Sequence, residues 1–366
     1  MKYYIIAGEA SGDLHGSNLV RAIRQQDSKA AIRCWGGDKM EAAGAHLVKH
    51  YRDLAFMGFV EVIKHLGTIL SNIAFCKNDV LAYQPDVLVL IDYPGFNLRI
   101  AKWAKQQGIK VVYYISPQVW AWKENRVKTI KSSVDKMLVI LPFEVDFYRK
   151  WNFDAQYIGH PLVEVIQHEI EHVPLVPLSS KPIVALLPGS RVQEIQVKLP
   201  IMLSVVEAFP DYQFVVAQAP SLPDSLLLDI IGNKNVMIAK GQTYNLLKQA
   251  KAGLITSGTA TLETALFGLP QVVCYKGNPL SFWLATKLVK VKYISLVNLI
   301  MDKLVVTELI QDDLNKDRLI TELCKLLEDG EALKQMKKDY QQLWQQLGSK
   351  PASAVAAQEI ISIASS

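Results

Sequence analysis

Short apolar runs alternate with helical patterns along the whole chain, and this alternation constrains the fold more than any other feature. In the first half the runs are Tyr3–Ala7, Ala31–Trp35, Val87–Ile91, Lys110–Ile115 and Lys136–Ile140. In the second half they are Ile183–Leu187, Gln213–Ala217, Val236–Ile238, Gly253–Thr256 and Gln271–Tyr275. Near-continuous Val, Ile and Leu implies burial on both faces, as strands of a helix-covered parallel sheet require. The chain's 366 residues exceed one ordinary core and suit two domains of about 160–180 residues each. The expected class is α/β, with two Rossmann-like domains facing each other across a cleft. Residues 1–165 form the first, 166–345 the second, with a Pro- and Ser-bearing linker near 173–180 and a C-terminal helix in 346–366.

Composition narrows the function classes. Hydrophobic residues make up 50% and charged residues 20%, which is globular rather than disordered. A net charge of +5 suits anionic ligands or an anionic membrane surface. No dense Arg/Lys stripe is present, so no nucleic-acid partner is expected. Cys34, Cys76, Cys274 and Cys324 are scattered without a C-x-x-C pair, as in a reduced cytoplasmic protein. No apolar run is long enough to span a bilayer. The opening Met1–Ala7 is too short for a signal-peptide core and reads as a strand.

Two loops stand out as ligand sites. The first is Gly8-Glu9-Ala10-Ser11-Gly12-Asp13-Leu14-His15-Gly16, directly after the first strand and before a helix through Leu19, Val20, Ala22 and Ile23. Its glycines do not match G-x-G-x-x-G, but they let a ligand approach the backbone. The second is Thr256-Ser257-Gly258-Thr259-Ala260-Thr261-Leu262-Glu263. A strand ending in small residues and a glycine before a helix leaves N–H groups at the helix's positive end, a site for phosphate or diphosphate. Glu263 lies one turn inside, within reach of an attached ribose. The alternative is a well-capped helix, with Ser257 or Thr259 as the cap.

Three further constellations lie at strand ends, where ligands of open parallel sheets bind. Asp92 closes Val87–Ile91 and precedes Tyr93-Pro94-Gly95-Phe96-Asn97; it is either a general base toward a hydroxyl or the cap of that turn. Ser116-Pro117-Gln118-Val119-Trp120-Ala121-Trp122 supplies two indoles, either a floor for a sugar or acyl chain or packing beneath a loop. Leu186-Leu187-Pro188-Gly189-Ser190-Arg191 places an arginine where it could grip a phosphoryl group. Two amphipathic stretches are either core or faces for a bilayer interface or acyl chains. One carries Phe59, Val62, Ile63, Leu66, Ile69 and Leu70; the other is Phe282–Lys290. His168-Glu169-Ile170-Glu171-His172 fits H-E-x-x-H, but it sits against Val173-Pro174 with no evident third ligand, so no metal site is expected.

Taken in order, these motifs resemble the lipid-A-disaccharide synthase family over essentially the whole length. Met57-Gly58-Phe59-Val60-Glu61-Val62 and Tyr293-Ile294-Ser295-Leu296-Val297-Asn298-Leu299 belong to the same series. Val297 departs mildly, at a position often held by proline. The resemblance implies an inverting GT-B glycosyltransferase whose first domain binds acceptor and whose second binds UDP-sugar. It implies that UDP-2,3-diacylglucosamine donates its sugar to 2,3-diacylglucosamine 1-phosphate, without metal or other cofactor. Asp92 would be the base, while Arg191 with Ser257, Gly258, Thr259 and Ala260 would hold the diphosphate and Glu263 the ribose. Tyr275, Asn298, Glu308 and Gln311 match positions lining the donor site. Glu9, Ser11, Gly12, Ser116, Trp120 and Trp122 would lie at the acceptor side. The family works peripherally at the inner face of the cytoplasmic membrane; a homodimer is left open.

Overall fold

The computed structural model describes residues 1–54, 66–220, 222–278, 282, 291–348 and 351–366. They form two compact units, Met1–Pro161 with Ser349–Ser366, and Leu162–Gly348. The 173–180 segment belongs to the second unit, where Asn245 and Gln249 accept from the N–H groups of Val176 and Leu178 at 3.0 and 2.9 Å.

The first unit contains β1 (Lys2–Ala7), β2 (Ala31–Gly36), β3 (His46–His50), β4 (Val87–Ile91), β5 (Lys110–Tyr114), β6 (Lys136–Val139) and β7 (Ala155–Tyr157). They pair in the order β3-β2-β1-β4-β5-β6-β7, every pair parallel. Alternation along β1 sends Tyr4 and Ile6 to one face and Tyr3, Ile5 and Ala7 to the other, each joining its own buried cluster. The helix Ala352–Ser365 packs onto the second face through Ala356, Ala357 and Ile360, all fully buried. Burying Ile360 alone is worth about 1.5–3 kcal/mol, which fixes this end of the chain to the first unit.

The second unit contains β8 (Ile183–Leu187), β9 (Gln213–Gln218), β10 (Val236–Lys240), β11 (Ala250–Thr256), β12 (Gln271–Tyr275) and β13 (Thr307–Ile310). Their order is β10-β9-β8-β11-β12-β13, again all parallel. In both sheets the order in which strands are added therefore reverses beside the first strand, between β1 and β4 and between β8 and β11. The crevice outside the carboxyl ends at such a reversal is where open α/β sheets bind ligands. The expected α/β class with two Rossmann-like halves is what the chain forms.

Three strands were not anticipated, β3, β7 and β13, and each lies at a sheet edge. An edge strand is half solvated, so its sequence carries polar residues instead of a continuous apolar run. The glycine-rich run after β1 also differs from expectation. The helix begins at Ala10, so Gly12 and Gly16 lie inside it rather than in a loop. A Cβ on Gly16 would stand 2.5 Å from Met40 Sδ, so this glycine permits close packing.

Phe59, Val62 and Ile63, with most of the Phe282–Lys290 stretch, lie outside the described residues. Leu66 opens the helix Leu66–Tyr83. Within it Ile69 packs on the core, whereas Leu70 is 55% exposed. Among the described residues no helix is long and apolar enough to cross a membrane.

Candidate active site

Register builds the first unit's site. Ala7 pairs with Ile91 and Ile91 with Tyr114, so the chain leaves β1, β4 and β5 at one level. Gly8, Asp92 and Ile115 are therefore neighbours. The Asp92 N–H donates to Ile115 O at 3.3 Å, and Tyr113 Oη donates to Asp92 O. Asp92, Tyr93 and Ile115 all hold left-handed backbones, at φ 42°, 47° and 64°. For a β-branched residue such as Ile115 that conformation is strained, and strain of this kind gathers at functional sites. The helix Pro94–Gln106 has no side-chain cap. Asn97 Nδ2 instead reaches back to the carbonyls of Ile91 and Asp92, at 3.1 and 2.8 Å, bracing the turn. Gly8 is required by its neighbour, since a Cβ there would lie 2.3 Å from the Tyr93 ring.

The bonds from Asn97 and Tyr113 engage the Asp92 backbone, while its carboxyl accepts from the N–H of Tyr93. Burial, reinforced by the like charge of Glu9, pushes its pKa up to about 6, against the steadying N–H of Tyr93. A carboxylate tuned toward neutrality at a strand end suits a general base. Glu9 and Ser11 are exposed at the start of the helix Ala10–Gln26, and Gly12 is buried beneath them.

The two indoles part company. Trp120 turns inward, its Nε1 donating to Glu144 Oε1 at 3.2 Å and its ring meeting Phe143 edge-on at 4.9 Å. Trp122 is 52% exposed, with Lys123 Nζ 4.1 Å from its ring centre. Ser116 is buried and shares a 2.8 Å hydrogen bond with Tyr148. Glu144, which the sequence did not single out, is fully enclosed, and burial pushes its pKa up to about 8. It also accepts from Leu141 N at 3.1 Å, so it anchors the whole turn.

In the second unit Ile255 pairs with Leu187, setting the Pro188–Arg191 turn beside Thr256–Ala260. Between them lies a cavity of about 450 Å³ lined by Gly189, Ser190, Arg191, Glu194, Thr256, Ser257, Gly258, Thr259, Ala260 and Glu263. Gly258, at φ 134°, precedes the helix Thr259–Leu266, which has no side-chain cap. Ser257 does not cap it: its hydroxyl donates to Ile294 O at 2.9 Å. The helix's first N–H groups are thus available at the cavity wall, with the positive end of the helix dipole behind them. Arg191 is exposed and lies 3.7 Å from Glu194. Glu263 accepts from Tyr244 Oη at 2.8 Å, and burial raises its pKa against that hydrogen bond. A second cavity of about 590 Å³ adjoins through Thr243 and Glu263 and is walled by Gly241, Gln242 and Tyr244.

Asn298 and Glu308 form a separate network, and Gln311 is held apart from it. Asn298 is fully buried, donating to Val306 O and Glu308 Oε1, both at 2.9 Å, and accepting from Val305 N and Val306 N. Glu308 also accepts from the N–H groups of Ile294 and Ser295. Its carboxylate therefore fixes the segment whose carbonyl holds Ser257. Gln311 accepts from Gly277 N at 2.8 Å, and Tyr275 lies against Phe282. Lys198 is a further charged group at the site; its signal was helical spacing, one turn after Glu194 and two after Arg191. At the H-E-x-x-H segment, His168 and His172 stack on each other at 4.9 Å and Glu169 pairs with Lys248 at 3.4 Å.

Known proteins resemble this chain in sequence and in fold. The sequence profile of the lipid-A-disaccharide synthetase family matches residues 3–362. The lipid-A-disaccharide synthase of Trichlorobacter lovleyi is 40% identical over 337 residues, covering 89% of this chain and 88% of its own. That of Syntrophus aciditrophicus is 38% identical over 364 residues, covering 96% and 95%. Among solved structures, the glycosyltransferase of kitacinnamycin superposes with a TM-score of 0.67 at 15% identity, covering 99% and 98%. The UDP-GlcNAc 2-epimerase of Neisseria meningitidis, solved with UDP-GlcNAc, gives 0.66 at 11% identity, also covering 99% and 98%. Those two likenesses show the fold; the whole-length matches show the family. This chain belongs to the lipid-A-disaccharide synthase family and is a glycosyltransferase of lipid A biosynthesis.

Proposed function

We propose that the second unit binds UDP-2,3-diacylglucosamine and that Asp92 is the base for its transfer to 2,3-diacylglucosamine 1-phosphate. The observation that carries this reading is that each unit puts its distinctive residues at the point where its sheet reverses. In the second unit these are Arg191 and the Gly258–Ala260 N–H groups. They would hold the diphosphate by bidentate and helix-terminal hydrogen bonds. Glu263, steadied by Tyr244, would take the ribose hydroxyls, and the adjoining cavity would take the base.

The acceptor's 6-hydroxyl attacks the anomeric carbon from the face opposite the diphosphate. The new C–O bond forms as the old one breaks, its electron pair leaves with UDP, and the hydroxyl proton passes to Asp92. Diphosphate departs readily once its charge is neutralised, so no second carboxylic acid is required, unlike the glycosidase pair. Inversion at the anomeric carbon gives the β-linked disaccharide 1-phosphate. Both substrates carry acyl chains, and the exposed apolar side chains of Leu70 and Phe75, with the net positive charge, support docking on an anionic membrane surface at the cytoplasmic side. Co-sedimentation with anionic vesicles, weakened by Leu70→Ser with Phe75→Ser, would support that docking; no sedimentation of the unaltered protein would overturn it.

A coupled assay of UDP release tests the reaction. Release that requires the acylated glucosamine 1-phosphate is expected; release without it, or interconversion of the donor sugar alone, would contradict the reading.

A further inference from the structure

Lys198 is a buried cation to which the scheme above gives no role. It lies on the helix Val192–Leu203 among Ile195, Leu199 and Met202, and is only 4% exposed. Its Nζ donates to Thr256 Oγ1 and lies 3.6 Å from Glu194 Oε2. Glu194 stands between two cations, since Arg191 approaches its other oxygen at 3.7 Å. One carboxylate facing two positive side chains leaves a local surplus of positive charge beside the cavity that Arg191 and Glu194 line. A buried ammonium is costly without acceptors, and burial lowers the Lys198 pKa while Glu194 raises it. An anion in the cavity would satisfy what Glu194 satisfies only in part.

The Thr256 hydroxyl supplies the link. A threonine hydroxyl has one proton and two lone pairs. Lys198 occupies a lone pair from inside the protein, so the proton must be directed elsewhere. Thr256 closes β11 and lines the cavity.

We infer that Lys198 is a positioning residue for the donor's diphosphate: from behind Thr256 it turns that hydroxyl into a donor toward a phosphoryl oxygen and adds buried positive charge beneath the leaving group. This rests on the reading of the cavity as the diphosphate site. Arg191 grips from the exposed rim, where solvent screens it; Lys198 acts from the dry side, where charge is worth more.

The test is calorimetric titration of UDP and UMP into the intact protein and into Lys198→Met, Thr256→Val, their double variant and Arg191→Met. Methionine matches the surrounding apolar helix face, and Glu194, deprived of Lys198, keeps Arg191 as its partner. Lys198→Met should weaken UDP about tenfold, the size of one charge-assisted hydrogen bond, and leave UMP nearly unchanged. Thr256→Val should lose a similar factor, and the double variant little more than either, because both act through one hydroxyl. A merely structural lysine would alter melting temperature without moving the UDP-to-UMP ratio. If Lys198→Met keeps that ratio while Arg191→Met lowers it, the inference is overturned and the diphosphate site stands. If the unaltered protein prefers UDP no more than UMP, the diphosphate reading falls and the inference with it. Should Lys198→Met not fold, Thr256→Val decides alone: an unchanged ratio overturns the inference.

Discussion

Asp92 and Ile115, joined by a 3.3 Å hydrogen bond from the N–H of one to the carbonyl of the other, both hold left-handed backbones at the ends of adjacent strands. That bond couples the turn carrying the carboxylate to the turn carrying Ser116 and Trp120. It also explains how strained conformations persist. Tyr113 and Asn97 load the Asp92 carbonyl with further hydrogen bonds, and Glu144 fixes the partner turn through Trp120 and Leu141.

As the proposed base, Asp92, whose pKa burial pushes up to about 6, should set the acid limb of activity. A base must be ionised, so kcat/KM should rise with pH through about 6 and then level off. Glu9 contributes to that elevation as a like charge, so Glu9→Gln should move the limb to lower pH. A pH–rate profile of both proteins checks this, and an unmoved limb counts against the coupling.

The same shift has a stability consequence of opposite sense. Folding raises the Asp92 pKa from an ordinary 3.8 to about 6, so the ionised form is penalised above pH 6. Asp92→Asn should therefore raise the melting temperature at neutral pH, and the gain should fade as pH falls from about 6 toward 4, below which the acid is protonated in both states. Asparagine also tolerates the left-handed backbone. Thermal melts at several pH values measure the difference.

Gly258 and Gly189 should fail for different reasons. A Cβ on Gly258 meets nothing within 4 Å, so Gly258→Ala suffers only from its φ of 134°, a strain of about 1–3 kcal/mol. At Gly189, φ is 124° and the added Cβ also stands 2.3 Å from Glu194 Oε2. Gly189→Ala should displace Glu194 and lose more UDP affinity than Gly258→Ala. Titration with UDP ranks the two.

Glu308 acts through the backbone it holds. Glu308→Ala strips acceptors from Ile294 N, Ser295 N and Asn298 Nδ2. The loss of buried partners should cost about 2–3 kcal/mol in urea unfolding, with Glu308→Gln recovering part. Because Ile294 O holds Ser257, UDP affinity should fall alongside stability. Ser257→Ala should lower affinity with little loss of stability, separating the two effects.

Much of this was legible in the sequence because it rests on short-range patterns. Parallel strands declare themselves by continuous apolar runs, and ligand loops by glycine and small hydroxyl residues at strand ends. What was missed depends on tertiary placement. The edge strands His46–His50, Ala155–Tyr157 and Thr307–Ile310 are short or polar, and only pairing with an inner neighbour defines them. The glycine run after β1 read as a loop because Gly12 and Gly16 are poor helix formers, yet packing against Ala7 and Met40 favours them there. Lys198 was visible only through its helical spacing from Glu194 and Arg191. Little that is local marked Glu144 or Tyr244, whose side-chain partners Trp120 and Glu263 lie 24 and 19 residues away.

The central claim, that Asp92 takes the acceptor's proton, is tested most directly by UDP release from UDP-2,3-diacylglucosamine in the presence of 2,3-diacylglucosamine 1-phosphate. The comparison is between the unaltered enzyme and Asp92→Asn. The account predicts a fall of about a thousandfold in turnover, with UDP affinity and the folded state retained. Turnover near the unaltered rate, in a variant that folds and binds UDP, would contradict it.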